Sequence, residues 1–426
     1  MKKYSFLLLI LLFGWTSCMD QYSVVFTAYS PTYMSYKNLR SSVKKIEPRN
    51  LEKTGKIYFK DDYIFVNEEF KGVHVIDNSS PANPVNLGFI EIPGNVDIAI
   101  KNNTLYADSY IDLIAIDISD INSIVEVGRK KDVFPYTVPP TETDDYQMAQ
   151  VDEDEGVVIG WEVKKVRQDM EYQYYPVYWG YKNEVDYAAS ALYAGISSQS
   201  GATYGIGGSM ARFGLYADYL YAVSESKLYM FDVSTDDNPK DIGKQSIGSG
   251  IETMFIYDGH MFFGTQTGML VYSLEVPTLP NYTGQFWHTT SCDPVVVSEG
   301  YAYITLRGGN NCGGTIDRLD VLELSEDYCT NNLIASYPMV GPYGLGIDGQ
   351  TLFVCDGDAG LKVYDISDKL TIDSHRIAII PTINAYDVIP VNGFLFMIGE
   401  DGFYLYDYSD LQNITLLSYI EVKNED

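Results

Sequence analysis

The stretch "GLKVYDISD", Gly360–Asp368, alternates apolar and polar side chains up to Asp365 and closes on Ser367 and Asp368. Period-two alternation with aromatic and β-branched residues marks a strand, and Asp/Ser marks the turn that ends it. Relatives occur as "GVHVIDNSS" (Gly72–Ser80), "LIAIDISD" (Leu113–Asp120), "KLYMFDVST" (Lys227–Thr235) and "FYLYDYSD" (Phe403–Asp410). The residue ending each such strand serves as a marker: Asp77, Asp117, Asp232, Ser273, Glu323, Asp365 and Asp407. Successive markers lie 40, 115, 41, 50, 42 and 42 residues apart, so seven units recur and one interval carries an insertion.

Within one unit, Asn95 to Lys131, the segments "VDIAIKN", "TLYADS", "LIAIDIS" and "IVEVGRK" read as four short strands separated by Asn, Asp and Ser. Four strands in roughly 40–45 residues is the arithmetic of a β-propeller blade. A parallel β-helix has shorter coils, and an α-solenoid needs helical periodicity. The chain is therefore expected to be all-β, a seven-bladed β-propeller of four-stranded blades, closed so that the sheet edges are managed. The 37 tyrosines agree with a strand-rich fold.

"LIAID" and its relatives resemble the LVIVD repeat of bacterial and archaeal surface proteins, over about Gly55 to the C-terminus without the insertion. That resemblance implies the propeller fold and a cell-surface location, and little chemistry. Two units depart from the marker, with Ser273 and Glu323 in place of Asp. The marker is thus read as structural.

The N-terminus carries a basic "MKK", an apolar "YSFLLLILLFGW", and small Thr16 and Ser17 before Cys18. This is the layout of a signal peptide over residues 1–17. The residues before Cys18 resemble a lipobox, with Trp15 where an aliphatic residue is usual. Cys18 is accordingly the expected lipidation site, and residues 18–55 a tether leading to the propeller at 56–426. The arrangement looks like the LVIVD lipoproteins of Bacteroidetes, which implies an outer-membrane lipoprotein, periplasmic or surface-facing, touching the membrane only through its lipid.

A formal charge of −29 repels a phosphate backbone, which argues against nucleic acid as a partner. An envelope protein or a glycan is expected instead. The insertion, about 131–209, contains the acidic "VDEDEG", a hairpin-like "VVIGWEVKKV", the aromatic "EYQYYPVYWGYKNEVDY" and a Gly/Ser-rich end. Its aromatics (Tyr172, Tyr174, Tyr175, Tyr178, Trp179, Tyr181) can either stack on a ligand or pack the insertion itself.

A ligand site is sought where the inner strands begin, the usual binding face of propellers by fold analogy. Aligning units on the "LY"-like pair of the second strand gives Lys56, Asp97, Arg212, Glu252, Asp293, Gly344 and Asp387. Six of the seven are charged. They form either a polar binding site at the channel mouth or a solvated, mutually paired ring.

Four other cysteines would lie in an oxidising compartment. Cys292 and Cys312 fall on loops expected to share a face, so a disulfide between them is geometrically reasonable. Cys329 and Cys355 are placed elsewhere. No spacing calls for a metal or a cofactor. "GLGIDG" (Gly344–Gly349) leads into a strand rather than a helix, and "DGDAG" (Asp356–Gly360) lacks the third ligand position and the distal Glu of a calcium loop. The functional expectation is a binding module at the channel-mouth face. The alternative is a lyase or glycosidase using channel-mouth carboxylates such as Asp97, Asp293 and Asp387.

Overall fold

The computed structural model describes residues 23–169 and 204–423, apart from 144, 205, 208, 210, 225, 289–293, 309–314 and 382. It is all-β, with seven four-stranded antiparallel blades in a ring. Strand order within each blade follows the chain, inner to outer. Blade 1 runs Thr54–Lys60, Tyr63–Glu68, Gly72–Asp77 and Val85–Glu91. Blade 7 runs Ala385–Val391, Phe394–Gly399, Gly402–Asp407 and Thr415–Glu421.

The repeated local chemistry is visible in every blade. Two residues connect each inner strand to the second, and the first of them is left-handed: Asp61, Asn102, Ala217, Asp258, Glu299, Gly349 and Asn392. Asn, Asp and Gly tolerate that conformation best, as tight hairpins require. The aromatic of the "LY" pair is buried throughout, at Phe65, Tyr106, Tyr221, Phe262, Tyr303, Phe353 and Phe396. These rings fill the space between neighbouring blades, where the core lies.

The marker Asp is a turn former. Asp77, Asp117, Asp232 and Asp365 each accept the backbone N–H of the serine two residues on at 2.8 Å, and Asp407 does so at 2.9 Å. Ser273 does the same job for Glu275 at 3.1 Å. This is the Asx turn and its serine analogue. Hydrogen bonds from the serine N–H and hydroxyl hold these five carboxyls below the usual Asp range.

The ring closes by side-chain packing of blade 7 on blade 1. Ile57, Ile64 and Ile76 meet Ile389, Phe396 and Leu405, and Phe59 stacks on Phe396 with centroids 4.7 Å apart. Lys423 N–H donates to the Leu51 carbonyl at 2.7 Å beside it. Among the described residues, each strand of the first and last blades stays in its own sheet.

The segment read as a tether is folded from Ser23 onward. Ser23–Met34 pairs with Val157–Asp169, a short helix Tyr36–Leu39 follows, and Lys44–Ile46 adds a fifth strand to blade 1. "VVIGWEVKKV" is accordingly one limb of a long ribbon and not a hairpin by itself. Gly160, the only turn residue inside it, sits opposite Thr32 where the register shifts. The partner strand lies more than a hundred residues upstream, out of reach of any local pattern. Arg40 pins this assembly to blade 2 through two bonds to the buried Asp112 at 2.9 and 3.1 Å. Arg129 reaches the same carboxylate at 3.0 Å. Burial raises the Asp112 carboxyl, but Arg40, the Asp132 N–H and Arg129 outweigh it and hold it low.

Candidate functional site

The inner strands begin at one face of the ring, called here the upper face, and the ring register can be read directly. The residue two before the partner of each buried aromatic is Lys56, Asp97, Arg212, Thr253, Pro294, Gly344 or Asp387. Five of the seven agree with the sequence alignment. In blade 4 the register shifts between Ile251 and Thr253, so Glu252 is the extra residue of a bulge and Thr253 takes the ring position. In blade 5 Pro294 takes it, its carbonyl accepting Thr305 N–H at 3.2 Å. Asp293, Cys292, Cys312, Cys18 and the aromatic stretch 172–181 lie outside the described residues.

Blades 1 to 3 bring their charges together. Lys56 Nζ lies 2.9 Å from Asp97 Oδ2, with Asp97 almost wholly buried. The same Oδ2 accepts the N–H groups of Arg212 and Phe213 at 2.5 and 3.0 Å, and Oδ1 accepts Ile98 N–H at 2.8 Å. Asp97 is thus fully engaged in joining three blades. Glu252 and Asp387, in the flanking blades 4 and 7, are also buried. Asp387 stands near Cys355, whose thiol is pushed well up by burial and by the charges of Asp387 and Asp356. Cys355 is therefore an inert core thiol, and Cys329 is exposed and unbridged.

Several members of the cluster escaped the sequence. Asp108 stands opposite Asp97 on the second strand of blade 2 and accepts Val96 N–H at 2.8 Å, Asp97 N–H at 3.1 Å and Asn95 Nδ2 at 2.9 Å. Asn67 Nδ2 donates to Asn95 Oδ1 at 2.6 Å, continuing the network into blade 1. Burial pushes Asp108 up to about 6 despite those donors, with the Asp97 charge adding to the rise. Glu69, in the turn after the second strand of blade 1, is pushed up to about 7 by burial. Lys56 and Arg212 oppose that rise, and Asp108 adds to it. Glu69 keeps partial contact with solvent while protein surrounds it. The signal for Asn67 and Asp108 was present in the sequence: both follow the "LY"-like pair by two, where an apolar residue would suit a buried strand.

The channel itself is occupied by the chain. The end of the insertion crosses it from the lower face to the upper. Tyr204 bridges Lys101 at the lower end of blade 2, and Ile206 exchanges two 2.7 Å backbone bonds with Phe59. Gly207 lies against the Tyr58 ring. Ser209 Oγ accepts Leu345 N–H of blade 6 at 3.3 Å, and the Ala211 carbonyl accepts Met254 N–H of blade 4 at 2.8 Å. The limb then enters blade 3 at Phe213. Tyr58, packed against this limb, has its phenol raised by burial and by Asp97. The channel is thus threaded by this limb, with Lys56 and Asp97 paired at its mouth.

On the upper face the ribbon and the segment around 149–155 enclose an open groove of about 770 Å³. It is lined by Ser30, Pro31, Tyr33, Gln150, Asp152 and Glu155, with Ser23 and Arg167 at one end.

Comparison with known proteins adds family and fold. The LVIVD repeat family matches residues 291–310 and 344–371. No curated protein matches the chain in sequence. Among solved structures, a Bacteroides fragilis protein described as a candidate 6-phosphogluconolactonase aligns with TM-score 0.50 and 9% identity, over 89% of this chain and 98% of its own. The computationally designed protein Ika8 aligns at TM-score 0.49 and 9% identity, covering 90% of this chain and 92% of its own. BamB from Moraxella catarrhalis aligns at 0.45 and 10%, covering 80% of each. At such identities the likeness concerns the fold alone. The chain is a seven-bladed β-propeller that carries LVIVD repeats at residues 291–310 and 344–371.

Proposed function

We propose that this chain is a lipid-anchored binding module of the bacterial cell envelope, held through Cys18, that engages a protein or a glycan on its upper face. The groove between the ribbon and residues 149–155 carries this reading. Its hydroxyl, amide and carboxylate lining suits a polar, extended ligand, and polar groups converging in a concavity are what fixes such a ligand. The ring charges Lys56, Asp97 and Arg212 serve this face by rigidity, since Asp97 is committed to backbone and ammonium donors. A pull-down from solubilised envelopes tests it, comparing the native chain with an Asp152→Lys, Glu155→Lys variant. Retention of every partner by the variant would remove the groove from consideration.

A second reading, a carbohydrate-active enzyme, draws support from one observation. Glu69 is pushed up to about 7 next to Asp108 at about 6, the range in which a carboxyl can give and take a proton near neutrality. Turnover on a panel of glycans, lost on Glu69→Gln, would favour it over binding alone.

A further inference from the structure

The ribbon Ser23–Met34/Val157–Asp169 is long for two strands standing in water, where an isolated pair is marginally stable. Its base is covered, because Leu39, Tyr110 and Val157 pack together there. Further along, Tyr29 trades backbone bonds with Gln147 and Ala149 at 3.0 and 2.8 Å. Toward Ser23 this cover ends.

Directly opposed residues of an antiparallel pair share a face, and faces alternate along each strand. The register Val25↔Arg167, Thr27↔Lys165 and Tyr29↔Val163 therefore sets these residues on one face. Val25 is 63% exposed and Val163 50%. Lys165 and Arg167 are exposed beside them, and Lys164 and Val24 are exposed on the reverse face. The nearby acids are Glu162, 3.3 Å from Lys164, and Asp152 and Glu155, which line the same groove as Arg167. Exposed valines interleaved with three cations stand out on a chain whose formal charge is −29. Cys18 precedes Ser23 by five residues, so a lipid there would hold this end within about 18 Å of a bilayer, at most ~3.6 Å per residue.

We infer that the Ser23/Asp169 end of the ribbon is a contact for an anionic membrane surface. Val25 and Val163 settle at the boundary between headgroups and acyl chains, and Lys165, Arg167 and Lys164 pair with lipid phosphates. Apolar side chains at that boundary and basic ones at the phosphates add their effects. The nearness to the bilayer rests on the anchored reading above, while the contact itself needs no lipid on Cys18.

The test uses the chain from Met19 on, which keeps every described residue, sedimented with vesicles of phosphatidylcholine with and without phosphatidylglycerol. The native ribbon is expected to bind the anionic vesicles and to lose that binding as salt is raised. The Lys164→Glu, Lys165→Glu, Arg167→Glu variant is expected to bind about a hundredfold more weakly. Val25→Asp should weaken binding while leaving its salt dependence in place. Equal sedimentation with both vesicle types, or charge reversal without effect in a variant of native circular dichroism, overturns the inference. Acyl labelling of Cys18 in cells is read separately. Its failure would sink the anchored reading and leave the vesicle result standing.

Discussion

Asp97 accepts the backbone N–H of Arg212, a residue 115 positions later in the chain, at 2.5 Å. This bond fastens the returning end of the insertion to the blade that precedes the insertion. With Lys56 on the same oxygen, it ties blades 1, 2 and 3 at a single carboxylate.

Asp97→Ala should therefore be severe. It strips the Lys56 ammonium of its partner and leaves the N–H groups of Ile98, Arg212 and Phe213 without an acceptor. Removing one side of a buried ion pair costs about 3–5 kcal/mol, because the other charge stays buried. Urea denaturation measures it. Adding Lys56→Met should recover part of the loss, and a double variant no better than the single would contradict the pairing.

Glu69 should imprint a pH dependence on stability. Its folded value is raised to about 7 from an ordinary Glu value near 4.5, so the folded state holds the proton more tightly. The stabilising contribution is complete below about 4.5 and disappears as pH rises through about 7. Glu69→Gln should flatten the stability profile between those limits, relative to the native chain. Parallel urea midpoints for the two chains from pH 5 to pH 8 would refute the assignment.

The threaded limb depends on Gly207. A Cβ placed there would meet Tyr58 Cζ at 2.3 Å. Gly207→Ala should cost about 1–3 kcal/mol by overpacking or push the limb off blade 1. Hydrogen exchange at the Ile206 amide, bonded to the Phe59 carbonyl, reports the second outcome directly. Unchanged exchange together with unchanged stability would show that the limb is not seated there.

The base of the ribbon should come loose when Asp112 is removed. Asp112→Ala leaves Arg40 and Arg129 without their shared carboxylate, at a cost of about 3 kcal/mol. Limited proteolysis should then cut between 35 and 46 faster than in the native chain, while the blades persist. Equal cutting rates would mean that packing of Leu39 alone holds the segment.

The fold was readable because each blade repeats its own local chemistry: the left-handed turn residue, the buried aromatic and the Asx turn at the marker. Even the ring register came through for Lys56, Asp97, Arg212, Gly344 and Asp387. At blade 4 the ring residue is Thr253 and not Glu252: Thr253 keeps the same spacing to the buried Phe262 that Asp97 keeps to Tyr106, and Glu252 is the extra residue of a bulge.

"GLKVYDISD" and its relatives alone determined the blade count, the strand order and the structural role of Asp365, because a hairpin repeat is written in contiguous residues. Tertiary structure alone decided that Tyr204, Ile206, Gly207, Ser209 and Ala211 thread the channel, that Ser23–Met34 pairs with Val157–Asp169, and that Glu69 and Asn95 join the charged mouth. Those contacts join residues far apart in sequence, and their energies come from burial and pairing that exist only once the ring has closed.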